Sequence, residues 1–231
     1  MSNIDYQPYY YKKPTPKSPR KSRGQILLVM IVMIVFCLTV LYVYKPIDSL
    51  NEYREYYAVY SDVVEDISTA NSLSSMVKAR GGAGYVYKCS EGYAIFTSIY
   101  TSLDNAQQVA NSLSTTDENA GVYTLRTRQN ISRDVLNILS SSHEAYLTLY
   151  EMSNQADSHS ILEEQALSQV LSIINNFEKR YGELGALSSE DQTYVIAVTD
   201  NQLAYLNDLA KDSAKSSKIR YCYSAMICSQ L

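Results

Sequence analysis

Residues that carry catalytic or metal chemistry are scarce in this chain. Its 231 residues include two histidines, four cysteines, eight glycines and no tryptophan. His143 and His159 have no cysteine or acidic cluster near them at zinc-ligand spacing, so a metal site is not predicted. None of the glycines forms a phosphate-binding loop, and the pair Glu163-Glu164 is typical of a solvated helix face. We therefore predict a protein that is not an enzyme and needs no cofactor.

The cysteine count also gives no disulfide framework. Cys37 lies in an apolar segment, where it acts as a small hydrophobic residue. Cys89, Cys222 and Cys228 lie beyond that segment. A bond between Cys222 and Cys228 would leave Cys89 alone, so the odd number argues against committed pairing.

One long apolar segment, Ile26 to Tyr44, contains nothing more polar than Thr39. A helix of this length rises about 28 Å, close to the roughly 30 Å of a bilayer's hydrocarbon core. A cleaved signal peptide is the alternative, but its apolar region is usually only about 7 to 15 residues long and ends at a small-x-small site, which is not seen here. We predict a transmembrane helix at residues 25–45, in contact with membrane lipid.

The charge distribution predicts the orientation of this helix. Six of the 20 basic residues but only one of the 24 acidic residues precede it, and everything that follows carries a net charge of −9. This asymmetry places the N-terminus in the cytoplasm and the rest of the chain outside the cell membrane. Residues 1–24 are expected to be a disordered basic tail, which either contacts anionic lipid or only sets topology. The acidic remainder is a poor ligand for nucleic acid.

An internal repeat follows the linker at residues 46–54. The run YAVYSDVV from Tyr57 aligns with YAIFTSIY from Tyr93, and Ala70 then aligns with Ala106. With one extra residue in the second copy, Ala83-Gly84 aligns with Ala120-Gly121. Each copy has the pattern of a strand, a helix and a strand, which predicts a duplicated β-α-β unit.

Residue alternation gives the expected boundaries and faces of this unit. Strands are predicted at residues 56–61, 83–88, 93–100 and 121–126. A first helix is expected to end at Gly81, and a second is expected to begin after its cap, Ser102, and to include Leu113. The order βαββαβ predicts an α+β fold with a four-stranded antiparallel sheet and both helices on one face. Side chains of Tyr57 and Val59 would face these helices, and Tyr60 and Phe96 would lie on the open face.

The region 130–231 has helical periodicity throughout. Three apolar stripes, within residues 135–150, 162–181 and 194–209, predict about three amphipathic helices that form a bundle. Ser160 is the expected cap of the second helix, and Ser188 with Asp191 three residues later is the expected cap of the third.

The second copy of the repeat resembles half of a SPOR domain, a module of bacterial envelope proteins. An aromatic-led strand from Tyr93 to Tyr100, then TSLDNA ending at Ala106, then Leu113, is similar to that family's pattern. The resemblance covers Glu55 to Arg126, within a SPOR-like domain predicted at residues 55–128, and its motif is mostly a hydrophobic pattern. Asp62 and Ser98 stand where the family commonly has glycine.

The resemblance implies a function in a bacterial cell envelope. SPOR domains bind peptidoglycan glycan strands on the open sheet face, at sites of cell division or sporulation. A glycan site would need aromatic rings for stacking and polar groups beside them. The candidates are Tyr60 and Phe96 for stacking, and Ser98, Lys88 and Arg126 for hydrogen bonds or charge.

Two alternatives accompany this interpretation. The aromatic residues either bind glycan or merely fill a sheet face and contact the C-terminal region. Correspondingly, the protein is either a membrane-anchored peptidoglycan-binding protein or an envelope scaffold whose domains, including the helical region, bind other proteins. Tyr60, where the family often has a polar residue, and the acidic charge are compatible with the second alternative.

Overall fold

The computed structural model describes residues 54–114, 119–128 and 131–231. The predicted basic tail, the transmembrane helix at 25–45 and the linker up to residue 53 lie outside the described residues. Within the described ranges, no helix is long and apolar enough to cross a bilayer. The described residues all belong to one compact unit, Ser49–Leu231.

Four antiparallel strands form a single sheet. The strands are β1 (Glu55–Val64), β2 (Tyr85–Cys89), β3 (Gly92–Tyr100) and β4 (Gly121–Arg126), arranged in the order β2-β3-β1-β4. Helices α1 (Ile67–Ala79) and α2 (Leu103–Leu113) alternate with the strands. The predicted α+β class, the βαββαβ order and the antiparallel sheet are therefore confirmed.

Local sequence signals determine where the first two helices begin and end. Ser102 is the N-cap of α2 as predicted, since its hydroxyl accepts a hydrogen bond from the backbone N–H of Asn105. Asp66 caps α1 in the same way, through the N–H of Thr69. After α1 the chain turns at Gly81, whose φ of 88° lies in the left-handed region that favours glycine.

Helix α2 packs on one face of the sheet over very small side chains. Ala106 and Ala110 contact Val59 in a small core to which Val122 of β4 also contributes. This agrees with the prediction that Val59 faces a helix. Helix α1 packs against β1 and β3.

The C-terminal region is helical as expected, but it has two α-helices more than the three predicted, a short one and a long one. The elements are α3 (Arg133–Asp157), α4 (Glu163–Glu178), the short α5 (Arg180–Glu183), a 3-10 turn (Leu184–Ala186), α6 (Ser189–Leu209) and α7 (Ser216–Cys228). The predicted stripes correspond to α3, α4 and α6. The additional helices are the single-turn α5, which directly follows α4, and α7, which is buried along most of its length.

The two predicted caps in this region have different outcomes. The hydroxyl of Ser188 accepts a hydrogen bond from the backbone N–H of Asp191, which confirms this N-cap. The prediction for Ser160 is wrong, because α4 begins at Glu163 and the Ser160 hydroxyl donates backwards to the carbonyl of Gln155. The side chain of Gln165 instead accepts from the backbone N–H of Leu162.

The largest hydrophobic core is shared by the sheet and the C-terminal helices. It joins strand residues with residues of α3, α4, α6 and α7, among them Tyr56, Phe96, Leu149, Phe177, Leu206 and Tyr223. A smaller core holds the start of α3 against α6, through Val135, Leu139 and Val195. Because the main core crosses from sheet to helices, the two regions stabilise each other.

A buried arginine connects three of the C-terminal helices. The Arg180 guanidinium donates to Oε1 of Gln202 at 2.7 Å and to the hydroxyl of Ser142 at 2.7 Å. Burial lowers the pKa of Arg180 to about 10. Nε2 of Gln202 then donates to the carbonyl of Met226 at 3.1 Å, which extends the network from α3 and α6 to α7. Such a network is stable only while each member keeps its partners.

Three cysteines lie in the described residues, and all are free thiols. Cys222 and Cys228 are six residues apart within α7, a separation that places them on different turns of one helix. Burial raises the pKa of the Cys228 thiol to about 12. Both thiols of α7 therefore act as apolar packing groups.

Candidate functional site

The five predicted site residues occupy three different places on the sheet. Tyr60 of β1 and Phe96 of β3 are direct cross-strand partners. Ser98 lies two residues after Phe96 on the same strand. Lys88 and Arg126 belong to β2 and β4, which are the two opposite edge strands. The structure therefore brings Tyr60, Phe96 and Ser98 together and leaves the two cationic residues apart.

The expectation of an open sheet face is wrong around Phe96. Phe96 has 0% exposed surface and Ser98 has 6%. Helix α7 packs across β2 and β3, and the hydroxyls of Tyr223 and Ser98 form a hydrogen bond of 2.6 Å. In the folded protein, neither Phe96 nor Ser98 is available to a polymer in solution.

The physical reason for this covering lies in the composition of the face itself. Ala58, Ala94 and Phe96 present a nearly continuous apolar surface, and each of these residues is fully buried. Burial of such a surface stabilises the fold by about 25 cal/mol per Å². Helix α7 supplies the matching apolar surface through residues such as Ile219 and Met226, which are also fully buried.

Tyrosines dominate the contact between the sheet and the helices. The ring of Tyr146 in α3 lies edge-on to Tyr56 of β1 at 5.4 Å and to Tyr223 of α7 at 5.4 Å. The Tyr146 hydroxyl donates to the carbonyl of Ile99 at 2.9 Å. Burial raises the pKa of Tyr146 and of Tyr223, so both phenols are neutral and form specific hydrogen bonds. At these positions tyrosine supplies a hydrogen bond that phenylalanine lacks.

The ring of His143 belongs to the same aromatic layer and packs against its tyrosines. Its Nδ1 lies 3.0 Å from the Tyr56 hydroxyl, and its ring lies 6.1 Å from that of Tyr146. Burial lowers the pKa of His143 below its ordinary value of 6.5. Among the described residues, no group of three or more histidines, cysteines or carboxylates is placed to hold a metal ion.

Part of the aromatic face remains accessible. We call this part the aromatic rim; it consists of Tyr60, Tyr87 and Tyr123, which are all half-buried. The ring of Tyr87 stacks on Phe96 with centroids 5.2 Å apart and an interplanar angle of 19°. Tyr123 lies 5.5 Å from Tyr87. The rim therefore surrounds Phe96, which forms its buried floor.

Two irregularities of the sheet position Tyr60 in the rim. The register between β1 and β3 shifts just before and just after the Tyr60–Phe96 pair, with Thr97 and Ser61 as the extra residues. The phenol of Tyr60 also lies directly over Gly121 of β4. A Cβ atom at Gly121 would approach the Tyr60 hydroxyl oxygen to 2.5 Å, so any larger residue at this position would displace the Tyr60 ring.

Lys88 and Arg126 do not contribute charge to the aromatic rim. Lys88 is exposed on β2 and, by strand alternation, points to the face opposite Tyr87. Nε of Arg126 lies 2.9 Å from a carboxylate oxygen of Glu55, with which it forms an exposed ion pair. The rim is therefore an aromatic surface whose polar groups are the tyrosine hydroxyls.

Sequence reasoning missed α7, Tyr87 and Tyr123. The signal for α7 was present, since Ile219, Cys222, Tyr223, Met226 and Ile227 recur at helical spacing. The face of the sheet on which Tyr87 and Tyr123 lie follows from residue alternation within their predicted strands. What alternation does not show is that their rings meet across the sheet above small residues such as Ala94.

Comparisons of this chain with protein-family models, with curated proteins and with solved structures find no match. The resemblance to the SPOR domain therefore stays a prediction from the residues quoted above.

Proposed function

We propose that this protein is a membrane-anchored scaffold of a bacterial cell envelope, which binds other proteins through its extracytoplasmic region. The observation that carries the proposal is the burial of Phe96 and Ser98 beneath α7. A sheet face that is filled by the chain's own helix cannot accept a glycan strand along its length without displacing that helix. In this proposal the βαββαβ unit is a platform for the C-terminal helices.

The sequence supports the location given in this proposal. The predicted transmembrane helix at residues 25–45 and the basic tail before it favour a single-pass protein with a cytoplasmic N-terminus. The outer region carries a net charge of −9 and few candidate catalytic groups. Both properties suit a non-enzymatic interaction protein with basic or neutral partners better than one that binds anionic polymers.

A second candidate function is recognition of peptidoglycan glycan strands, and the aromatic rim favours it. Half-buried tyrosine rings offer stacking surface, and their hydroxyls offer hydrogen bonds. Tyr60, the one predicted stacking residue that stays partly accessible, belongs to this rim. A glycan end could contact the rim while α7 stays in place. This function is the one that resemblance to the SPOR domain implies, at division or sporulation sites.

Binding to purified cell walls separates the two functions. The full-length protein, held in lipid nanodiscs, is sedimented with bacterial walls before and after an amidase removes the stem peptides. The scaffold proposal predicts no pelleting on either wall by protein that circular dichroism shows to be folded. Pelleting on stripped walls that is lost in Tyr60→Ala and Tyr87→Ala would instead establish glycan recognition at the rim.

The matched control for these substitutions is Tyr181→Ala. Tyr181 is 41% exposed and lies in α5, so its replacement removes a tyrosine ring of the same type outside the rim. Point substitutions are preferred to deletion of the C-terminal helices because the sheet and the helices share one core. A deletion would unfold the sheet whichever function is correct.

A further inference from the structure

A cavity opens between α1, α6 and α7, at a distance in sequence from every predicted site residue. Its volume is about 310 Å³, and its wall includes Lys78, Tyr205, Asp208, Ser217 and Tyr221. Pockets that hold small molecules begin at roughly 300 Å³ and combine apolar or aromatic walls with a few polar groups. By size and by lining, this cavity suits a ligand of about one sugar ring.

Two tyrosine rings form the aromatic part of the cavity wall. The centroids of Tyr205 and Tyr221 are 6.4 Å apart, and the rings are nearly perpendicular at 78°. Both side chains are half-buried. Perpendicular rings give a corner rather than a flat surface, in which a bulky saturated ring contacts one face and one edge at the same time.

Lys78 brings a positive charge to the cavity, whose wall also holds the charged side chains of Lys218 and Asp208. Its Nζ lies 4.4 Å from the centroid of the Tyr221 ring, and partial burial lowers its pKa. Within the described part of the chain, Lys78 forms no ion pair, whereas Lys218 beside it is paired with Asp212 at 3.3 Å. Lys78 is exposed as a residue, so its ammonium, held over the aromatic ring, is accessible to an anionic ligand group.

The wall of the same cavity also provides a negative charge and hydrogen-bonding groups. Asp208 contributes a carboxylate, whose Oδ1 is paired with Lys211 at 3.1 Å and whose remaining lone pairs are acceptors for hydroxyl or amide N–H groups. The hydroxyl of Ser217 acts as donor or acceptor. A ligand that satisfies all of these groups carries an acid at one position and hydroxyls or amides at others.

We propose that this cavity binds a small sugar that carries a carboxylate. The sugar ring contacts Tyr205 and Tyr221, the carboxylate pairs with Lys78, and a hydroxyl or amide donates to Asp208. The site is separate from the aromatic rim and does not depend on either function proposed above.

Isothermal titration of the full-length protein in nanodiscs tests this site with two matched pairs of sugars. Glucuronate is compared with glucose, and N-acetylmuramate is compared with N-acetylglucosamine, because each pair shares a ring and differs in the acidic substituent. We expect at least one acid to bind about tenfold more tightly than its neutral counterpart, as a charge-assisted hydrogen bond predicts. If neither acid binds at millimolar concentration to the folded protein, the proposal is overturned.

Variants identify the residues that are responsible. Lys78→Met keeps the length of the side chain and should abolish the tenfold preference for the acidic sugar. The control is Lys179→Met, a change at an exposed residue outside the cavity, which should leave this preference intact. Tyr205→Leu should weaken acid and neutral sugar by a similar factor. An unchanged preference in Lys78→Met would overturn the assignment even if sugars bind. None of these results bears on the scaffold proposal, which does not use the cavity.

Discussion

The two faces of the sheet are packed against helices by different types of side chain. On the side of α2, which we call the alanine face, Ala106 and Ala110 of the helix pack against Val59 of β1, with the half-buried Tyr57 and Tyr100 beside them. On the side of α7, which we call the aromatic face, the rings of Tyr146 and Tyr223 from the helices pack in one core with Phe96, Ala58 and Ala94 of the strands. The helix therefore contributes small side chains on the first side, whereas large rings fill the space between helices and strands on the second.

The two faces also differ in how far apart their contacts lie along the chain. Thr97 and Val59, joined by a hydrogen bond within the sheet, are 38 residues apart. Ser98 and Tyr223, joined across the other face, are 125 residues apart. The first kind of contact forms within the repeat, but the second needs the whole C-terminal region to be in place. The alanine face should therefore be sensitive to enlarged side chains and the aromatic face to removed ones.

The largest effect is expected on the aromatic face, from Tyr223→Ala. This change removes a fully buried ring that contacts Tyr146 and Tyr150, and it leaves a cavity between α7 and the sheet. We expect the free energy of unfolding to fall by about 3–5 kcal/mol. Urea denaturation followed by circular dichroism measures the loss.

A second substitution at the same position separates packing from hydrogen bonding. Tyr223→Phe keeps the ring but leaves the buried Ser98 hydroxyl without its partner, so a smaller loss of about 1–2 kcal/mol is expected. Equal losses in the two variants would contradict the view that ring packing dominates this face.

An intermediate effect is expected on the alanine face, from Ala106→Leu. Ala106 has no exposed surface, so the added atoms force α2 away from Val59. We expect a loss of about 1–3 kcal/mol in the same denaturation assay. The control is Gln107→Leu, an exposed position on the same helix. If Ala106→Leu is as stable as this control, the close packing of α2 is not essential.

The smallest effect is expected in the pH dependence of stability, through His143 of the aromatic face. Because burial lowers the pKa of His143, the unfolded chain binds a proton more readily than the folded protein. The contribution of His143 to the free energy of unfolding should therefore be fully present above about pH 6.5 and be lost as the pH falls below that value. The effect is small because the ring is partly exposed and water screens its charge.

Thermal melting between pH 7.5 and 5 measures this dependence. His143→Gln should reduce the slope, and His159→Gln, a change at an exposed histidine after α3, should not. A slope that is the same in His143→Gln and the wild-type protein would assign the acid sensitivity to carboxylates.

The success of the sequence predictions follows the same division between local and distant contacts. The four strands, their order along the chain and the Ser102 and Ser188 caps were predictable because each depends on neighbouring residues, although the same kind of signal placed a cap wrongly at Ser160. The open face was not correctly predicted, since alternation assigns Phe96 to a face but does not say what covers that face. Lys88 and Arg126 were grouped with Phe96 by residue type, and the sheet order then separated them onto opposite edges.

The sequence by itself determined the apolar segment at 26–44, the charge asymmetry, the repeat and the βαββαβ order, because these are properties of composition and of short-range periodicity. The tertiary structure alone decided that α7 lies on the sheet, that Tyr60, Tyr87 and Tyr123 form a rim, and that Lys78 meets Tyr221 above a cavity. The physical reason is that hydrophobic burial has no direction. It requires the apolar face to be covered, but only the shapes and hydrogen bonds of distant residues select the element that covers it.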